Sequence, residues 1–432
     1  MNTTTRARAG GRRLVAGLTV SATLLTTAAC AGGGAAAGSA SVPGVTDTEI
    51  TLGTTQPLTG PAAPGYSKIH GAMEAYFNYV NANGGINGRK IKLLVEDDGY
   101  NPTNTVTKTR KLVQQDKVFA LVGALGTPTH TAVLDFIRQN NVPDLMVASG
   151  SVSWNQPKKY PTTFGFQTDY RREGKILATY VKQQFPGKRY CSFGQSDDFG
   201  ASGLEGLQAV LGADGLKDSE TYSVANTNVA PQLGKLQAAK CDVVFAFTVP
   251  GFTALAMGTA AQLGYKTQWV VSSSGADPSA LTAYLKGAAP ALLEGMLGGN
   301  YMPPIDETEN SWVKLFTSIN QKYNPGTAMD STVQYGYTLA YTAAQALKAA
   351  GKDLTRESLV KAMEAGGFAG PGLAPLAYSS GDHSGFTGLQ VAEYKGGTLK
   401  GVSPVYTTDT GAGPIQEYTQ KQPDAPANGL PQ

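Results

Sequence analysis

The chain has few of the residues on which most enzyme active sites depend. Its 432 residues include three cysteines and three histidines, His70, His130 and His383. The histidines lie far apart in sequence, and no zinc-protease, serine-hydrolase, phosphate-loop or paired-cysteine metal motif occurs. Because a zinc site needs three or four convergent ligands, we expect no metal, no cofactor and no catalysis. His130 falls at a predicted helix start, where we interpret it as a surface or rim residue.

The chain also lacks an apolar run long enough to cross a bilayer as a helix. The apolar stretch near its start, Leu14–Ala29, is short and rich in threonine. Four basic residues and no acidic one precede it: Arg6, Arg8, Arg12 and Arg13. A basic segment followed by a short apolar one is typical of a secretory signal peptide, which we predict for residues 1–29.

A cysteine directly follows this apolar stretch. The segment Thr27–Cys30 resembles a lipobox, where a signal peptidase cuts before a cysteine that receives a lipid, although Thr27 replaces the usual leucine. We predict lipidation at Cys30 and a flexible tether over residues 30–45, since a run of Ala, Gly and Ser does not pack a core. An ordinary secretory signal with an incidental cysteine is the alternative.

The basic excess of the sequence belongs to this export segment. Removing its four arginines from the 35 basic residues leaves 31, against 32 acidic residues. The basic isoelectric point therefore does not indicate a nucleic-acid partner. Cys191 and Cys241 are the cysteines that remain beside Cys30, and an even pair in an exported protein predicts a disulfide. Two buried free thiols are the alternative.

Beyond the tether, predicted strands and helices alternate along the chain. Short apolar runs such as Val118–Gly123, Tyr190–Gly194 and Asp242–Phe247 lack the period-two pattern of a half-exposed strand. Such runs are expected of parallel strands whose two faces are both covered by helices. Two successive series of this kind predict an α/β fold with two doubly wound parallel-sheet lobes.

Three segments at the start of this region carry a family resemblance. They read G-T-T-Q-P-L-T-G-P at 53–61, N-A-N-G-G-I-N-G-R-K-I at 81–91 and D-D-G-Y-N-P at 97–102. In this order they resemble the leucine/isoleucine/valine-binding family, the type I periplasmic solute-binding proteins of ABC importers. The resemblance extends to about residue 405 and implies a periplasmic binding protein type I fold with a three-crossing hinge.

The resemblance also implies domain boundaries, with hinge crossings near residues 166, 298 and 378. Lobe 1 then comprises residues 46–166 and 299–377, and lobe 2 comprises residues 167–298 and 378–405. Residues 406–432 are rich in Gly, Pro and Gln, and this composition predicts a loosely ordered tail.

Two loops of the first lobe are candidate ligand contacts. Ligands of open parallel sheets bind beyond the carboxyl ends of the strands, where Gly126–Thr129 and Ala148–Ser151 lie. Hydroxyls and free amides at a helix start attract an anion. The resemblance implies a carboxylate site at Thr127, Thr129, Ser149 and Ser151. Helix capping by the same residues is the alternative.

In the second lobe, Asp198–Gly200 resembles a family element whose aromatic ring closes over the ligand. Phe199 keeps the ring but lacks the hydroxyl of the tyrosine that the family usually has. Tyr170 is a further candidate for a cleft aromatic, and Phe252 ends the loop after the predicted strand Asp242–Phe247 and is a further candidate contact. Packing between helix and sheet is the alternative interpretation of these rings.

Ser274 marks the main departure from the family pattern. The resemblance implies an acidic residue near this position in amino-acid binders, but the chain has serines at 272–274. A buried ammonium without a carboxylate partner would cost several kcal/mol. Two explanations are open: either Asp277 or Asp197 supplies the carboxylate, or the ligand carries no ammonium. We favour a ligand without an ammonium.

Together these observations predict a monomeric, non-enzymatic lipoprotein on the outer face of the cell membrane. The expected function is capture of a branched-chain amino acid-like solute, or an aliphatic or aromatic carboxylate, for an ABC transporter permease. Ligand would bridge the two lobes and select a closed form. The alternatives are a ligand-sensing subunit of the same fold and, less favoured, a hydrolytic enzyme.

Overall fold

Two β-sheets, each covered by helices, organise the part of the chain that the computed structural model describes, residues 42–431. The predicted signal peptide, Cys30 and most of the predicted tether lie outside these described residues. Within them, no helix has the length and apolar character needed to cross a membrane.

The first sheet has five parallel strands in the order β2-β1-β3-β4-β5. Two of its inner strands consist entirely of buried residues, as expected of parallel strands whose two faces are covered by helices. The strands are β1 (Glu49–Gln56), β2 (Lys90–Asp97), β3 (Ala120–Val122), β4 (Asp144–Val147) and β5 (Thr163–Gly165). The helices are α1 (Ala63–Tyr66), α2 (Ile69–Ala82), α3 (Pro102–Arg110), α4 (Thr127–Thr131) and α5 (Leu134–Gln139).

The second sheet has eight strands in the order β13-β12-β11-β10-β9-β8-β6-β7. Five are mutually parallel: β6 (Tyr190–Gln195), β7 (Glu220–Tyr222), β8 (Val243–Phe247), β9 (Gln268–Val271) and β10 (Leu297–Asn300). Three further strands extend one edge of this sheet, each antiparallel to its neighbour: β11 (Gly388–Lys395), β12 (Thr398–Thr407) and β13 (Gln416–Glu417). The connecting helices are α6 (Tyr170–Gln184), α7 (Asp198–Leu211), α8 (Ala230–Ala238), α9 (Pro250–Gln262), α10 (Pro278–Leu285) and α11 (Ala289–Leu293).

Three further helices return the chain to the first sheet: α12 (Ser311–Tyr323), α13 (Ser331–Ala349) and α14 (Arg356–Ala365). The ring of Tyr76 on α2 packs edge-on against Tyr341 of α13 and Phe316 of α12, with centroids 5.8 and 6.4 Å away. We call the first sheet with α1–α5 and α12–α14 lobe 1, and the second sheet with α6–α11 lobe 2. The predicted class, two lobes with doubly wound parallel sheets, is confirmed.

The chain passes between the lobes after β5, after β10 and between α14 and β11. The predicted boundary at residue 298 is displaced, because β10 runs to Asn300 and pairs with β9 and β11 of lobe 2. A disulfide joins Cys191 in β6 to Cys241, two residues before the neighbouring β8, with Cα atoms 5.8 Å apart.

The segment beyond residue 405 differs from the loosely ordered tail that its composition predicts. The Lys175 ammonium of α6 donates to carbonyl oxygens of residues 409, 411 and 413 at 2.9–3.1 Å. After β13 the chain passes to lobe 1, where Trp312 donates to the carbonyl of Pro423 at 2.8 Å and Tyr76 to that of Gly429 at 2.9 Å. Side chains from distant parts of the sequence therefore hold a segment that has few apolar residues of its own.

Candidate functional site

A cavity with a volume of about 110 Å³ lies between the lobes, at the carboxyl ends of both sets of parallel strands. Lobe 1 contributes the segments after β2, β3 and β4 and the start of α13, and lobe 2 contributes the segments after β6, β8, β9 and β10. This is the position at which open parallel sheets bind ligands, because loops and helix starts from many strands meet there.

Thr127 forms the polar part of the lobe 1 wall. Its Oγ1 lies 2.7 Å from Ser149 Oγ, which brings the hydroxyls of the two predicted loops together. Gly126 before it has a φ of +109°, and a Cβ there would lie 2.6 Å from the Tyr100 ring. Glycine is therefore required for the close approach of this loop to Tyr100.

The predicted helix that follows is divided into α4 and α5. Because α4 has only five residues, the hydroxyls of Thr127 and Ser149 are better placed than a helix dipole to stabilise an anion here.

Four of the eight predicted contact residues do not line the cavity. Thr129 Oγ1 donates to the Leu125 carbonyl at 2.7 Å, and Ser151 Oγ accepts from the Ser153 amide at 3.1 Å. Phe252 stacks on Tyr222 with ring centroids 4.2 Å apart. For Ser151 and Phe252 the structure therefore favours the alternatives of capping and wall packing. Thr129 instead bonds back to the preceding turn and caps no helix. Ser149 contacts the Thr127 hydroxyl but does not itself line the cavity.

Tyr170 and Phe199 form the aromatic wall of lobe 2, with ring centroids 4.3 Å apart. Each ring is positioned by an aspartate at the start of its helix. Asp169 accepts from the Arg172 amide at the start of α6, and Asp197 accepts from the Phe199 amide at the start of α7, both at 2.9 Å. The rings thus lie on helix termini that side-chain caps hold in place.

The loop after β9 carries Ser274, which lines the cavity and contacts residues on both sides of it. Its Oγ accepts a hydrogen bond from Gln167 Nε2 at 3.0 Å. Its carbonyl accepts from the Tyr66 hydroxyl of lobe 1 at 2.6 Å. The serine loop is therefore fixed to lobe 1 in this closed arrangement.

Two acids were candidates to replace the carboxylate missing near Ser274. Asp277 lines the cavity, but its oxygens accept from the Ala280 amide at 2.6 Å and from the Ser331 hydroxyl of lobe 1. Burial raises the pKa of Asp277. Asp197 does not line the cavity and accepts from Gln195 at 2.6 Å. Each oxygen of the two acids thus already accepts a hydrogen bond from the protein.

The phenol hydroxyls of the cavity wall were mostly absent from the sequence-based candidates. Besides Tyr170, four tyrosines line it: Tyr66, Tyr100, Tyr301 and Tyr335. Burial raises the pKa of each of these phenols, so they are neutral hydrogen-bond donors at neutral pH. No lysine, arginine or histidine is among the described residues that line the cavity.

Glu173 was also not among the site residues predicted from the sequence. It lies in the first turn of α6, is fully buried, and accepts a hydrogen bond from the Ser273 amide at 2.6 Å. One signal was present in the sequence, since Glu173 lies three and four residues before Ile176 and Leu177 on the apolar face of that helix. A charged residue on such a face is uncommon and is a candidate for function.

The prediction that His130 is a surface or rim residue is wrong, because the side chain is buried. Its Nε2 lies 2.7 Å from Asp144 Oδ2, and its ring packs edge-on against Trp154 at 5.1 Å. Its Nδ1 has no hydrogen-bond partner among the described residues. The nucleophile–base contact of a hydrolase is therefore not formed by His130. No cluster of metal-binding side chains occurs within residues 42–431.

A family model described as periplasmic binding protein matches residues 49–398, most of the chain. The Leu/Ile/Val-binding protein homolog 1 of Brucella abortus is 24% identical over 334 residues, covering 76% of this chain and 86% of that protein. The Leu/Ile/Val-binding protein BraC3 of Rhizobium johnstonii is 25% identical over 201 residues. This match covers 46% of this chain, which spans about half, 54%, of that relative's length.

Solved structures with the same fold cover nearly all of the described chain. A branched-chain amino acid ABC transporter protein from Thermus thermophilus with bound valine has a TM-score of 0.74 at 21% identity, covering 84% of this chain and 97% of its own. A fatty acid ABC transporter substrate-binding protein from Thermomonospora curvata has a TM-score of 0.73 at 25% identity, with coverages of 85% and 95%. The chain belongs to the periplasmic binding protein family, with Leu/Ile/Val-binding proteins among its relatives.

Proposed function

We propose that this protein captures a small organic solute between its lobes outside the cytoplasm and delivers it to an ABC importer permease. The observation that carries the proposal is the cavity itself. It lies at the carboxyl ends of the strands of both lobes, with the Thr127 hydroxyl on the lobe 1 wall and the rings of Tyr170 and Phe199 on the lobe 2 wall. A ligand there would contact both lobes at once, which is the requirement for hinge closure.

The ligand's carboxylate is proposed to bind beside Thr127. When the Ser149 hydroxyl donates to Thr127 Oγ1, the Thr127 proton is left for the ligand, and a charge-assisted hydrogen bond to an anion is stronger than one between neutral groups. The remainder of the ligand would lie against apolar side chains that line the cavity, including Ile69, Leu125 and Val249. This combination suits a monocarboxylate with an aliphatic or aromatic body.

The properties of relatives support a choice between two ligand classes. The Thermus neighbour is described with bound valine, and the Thermomonospora neighbour is described as a fatty acid binder. In this chain the serine loop replaces an acid, and Asp277 is already engaged by Ala280 and Ser331. We therefore propose an aliphatic or aromatic carboxylate first and a branched-chain amino acid second.

A thermal-shift screen with matched ligand pairs tests this proposal. Leucine is compared with 4-methylpentanoate, and phenylalanine with 3-phenylpropanoate, so that each pair differs in the ammonium group. A ligand that binds the folded state raises the melting temperature by mass action. We expect larger shifts from the acids that lack an ammonium. A series in which no monocarboxylate or amino acid shifts the transition would contradict the proposed site.

Anchoring to the membrane is a separate part of the proposal and depends on Cys30. A lipid on this cysteine would hold the lobes near the permease through the tether of residues 30–45. Replacing Cys30 with alanine should release the protein from the membrane fraction of the cells that express it. Retention of the variant would assign the attachment to another feature.

A further inference from the structure

Glu173 is a buried acid without a cationic partner. It is 0% exposed, and its Oε2 has no hydrogen-bond partner in the part of the chain that the structure describes. The three cations within two residues of Glu173 on the same helix are paired elsewhere: Arg171 with Glu205, Arg172 with Asp169 and Asp382, and Lys175 with Asp409. A carboxyl left alone in this way has a strongly unfavourable charged form.

This carboxyl lies directly behind the cavity wall. Its Oε1 accepts from the amide of Ser273, which lines the cavity. A Cβ on Gly299, another lining residue, would lie 2.3 Å from the same oxygen. Glycine at 299 therefore makes the room that the carboxyl occupies, and the carboxyl is separated from the cavity by one layer of backbone.

The surroundings of Glu173 favour its neutral form. Burial, with a contribution from the negative charge of Asp169, raises the pKa of Glu173 to about 8. The facing groups from other elements are the uncharged Ser273 loop, Gly299 of β10 and the phenol of Tyr301. No cation of the described chain counteracts this effect, so the carboxyl is mostly protonated at neutral pH.

We propose that Glu173 is a specificity-determining residue that controls the charge of the cavity wall, and thereby makes the binding of a carboxylate solute proton-dependent. When neutral, it admits an anion beside Ser273; when ionised, it opposes one across a thin, low-dielectric wall. This inference rests on the proposed function in one respect, namely that the ligand is a carboxylate. It does not require a direct contact between Glu173 and the ligand.

The main test is calorimetric titration with 4-methylpentanoate from about pH 6.5 to about pH 9, where the probe itself stays ionised. Wild-type affinity should be constant at the acidic end and fall by up to about tenfold per pH unit above pH 8. Glu173→Gln should bind with a flat profile. Glu205→Gln removes an exposed acid from the neighbouring helix α7 and should keep the wild-type profile.

Wild-type protein alone provides a second measurement, which does not depend on the folding of a variant. Binding near pH 8.5 in two buffers with different ionisation heats should reveal uptake of up to about one proton per ligand. A flat wild-type profile without proton uptake would overturn the inference, and so would an unchanged pH dependence in Glu173→Gln.

Failure of the proposed ligand class is distinguishable from failure of this inference. If 4-methylpentanoate does not bind at about pH 6.5, where Glu173 is neutral, the proposed carboxylate function fails. Infrared spectroscopy of the ligand-free protein then shows whether Glu173 is protonated, because a protonated carboxyl has its own carbonyl band. A band that disappears as pH rises through about 8, and that Glu173→Gln removes, supports the neutral acid. If the band is absent at neutral pH, the inference is overturned.

Discussion

The hydroxyl of Tyr66 donates a hydrogen bond of 2.6 Å to the carbonyl of Ser274, and the two residues belong to opposite lobes. Tyr66 ends the short helix α1 of lobe 1, and Ser274 lies on the loop after β9 of lobe 2. Both residues line the cavity. The closed arrangement therefore includes a direct interlobe bond at the ligand site, made by protein groups alone.

Replacing Tyr66 with phenylalanine should weaken ligand binding. The ring remains, but the interlobe hydrogen bond is lost, and the Ser274 carbonyl loses this donor. The expected cost is about 0.5–1.5 kcal/mol. Calorimetry should show an affinity about two- to tenfold lower than that of the wild type. Tyr284→Phe is the matched control, because its hydroxyl makes a longer, exposed interlobe contact of 3.3 Å to Pro61. Equal affinities for wild type and Tyr66→Phe would remove this bond from the closing mechanism.

Thr127→Val should lower the affinity for carboxylates without unfolding the loop. Valine keeps the branched shape but cannot donate, so a charge-assisted bond of about 1.5–3 kcal/mol is lost. Affinity should fall by about ten- to a hundredfold. Thr129→Val provides the contrast, since Thr129 does not line the cavity and its hydroxyl already bonds to the Leu125 carbonyl. It should lower the melting temperature and leave affinity intact. The reverse pattern would exchange the roles assigned to the two threonines.

The alternation of strands and helices could be predicted from sequence, because the buried parallel strands are short apolar runs separated by helical periodicity. The last two strands, β12 and β13, could not, since β12 has no fully buried residue and pairs with β11 through its backbone. The order of the tail likewise depends on Lys175 and Trp312, which are distant in sequence.

The site was predictable only where a residue lies in a segment of recognisable pattern. Thr127, Phe199 and Ser274 were identified in loops that follow predicted strands, and all three line the cavity. Tyr170, predicted as a cleft aromatic, lines it as well. Tyr66, Tyr100, Tyr301 and Tyr335 come from separate segments, and only the packing of the two lobes brings them together.

Glu173 should make the stability of the fold depend on pH. Burial raises its pKa from the ordinary 4.5 to about 8, so between these values the folded chain retains a proton that the unfolded chain has released. The free energy of unfolding contributed by this group therefore falls as pH rises from about 4.5 to about 8, by at most about 1.4 kcal/mol per pH unit, and is constant above. Urea unfolding across this range should show a shallower decline for Glu173→Gln. Parallel pH profiles for the two proteins would indicate that Glu173 is ionised when folded.

Removing residues 423–432 should destabilise lobe 1, because the tail covers it through specific bonds. Trp312 is 4% exposed and donates to the Pro423 carbonyl, Ser311 bonds to Asp424, and Tyr76 donates to the Gly429 carbonyl. Losing three such partners and exposing the rings should lower the free energy of unfolding by about 2–4 kcal/mol.

The emission of Trp312 should also shift to longer wavelength as its indole meets water. Lys421→Ala is the control, since it removes only an exposed pair with Asp424 and should change stability by less than about 1 kcal/mol. A truncated protein with unchanged unfolding and unchanged emission would contradict the ordered packing of the tail on lobe 1.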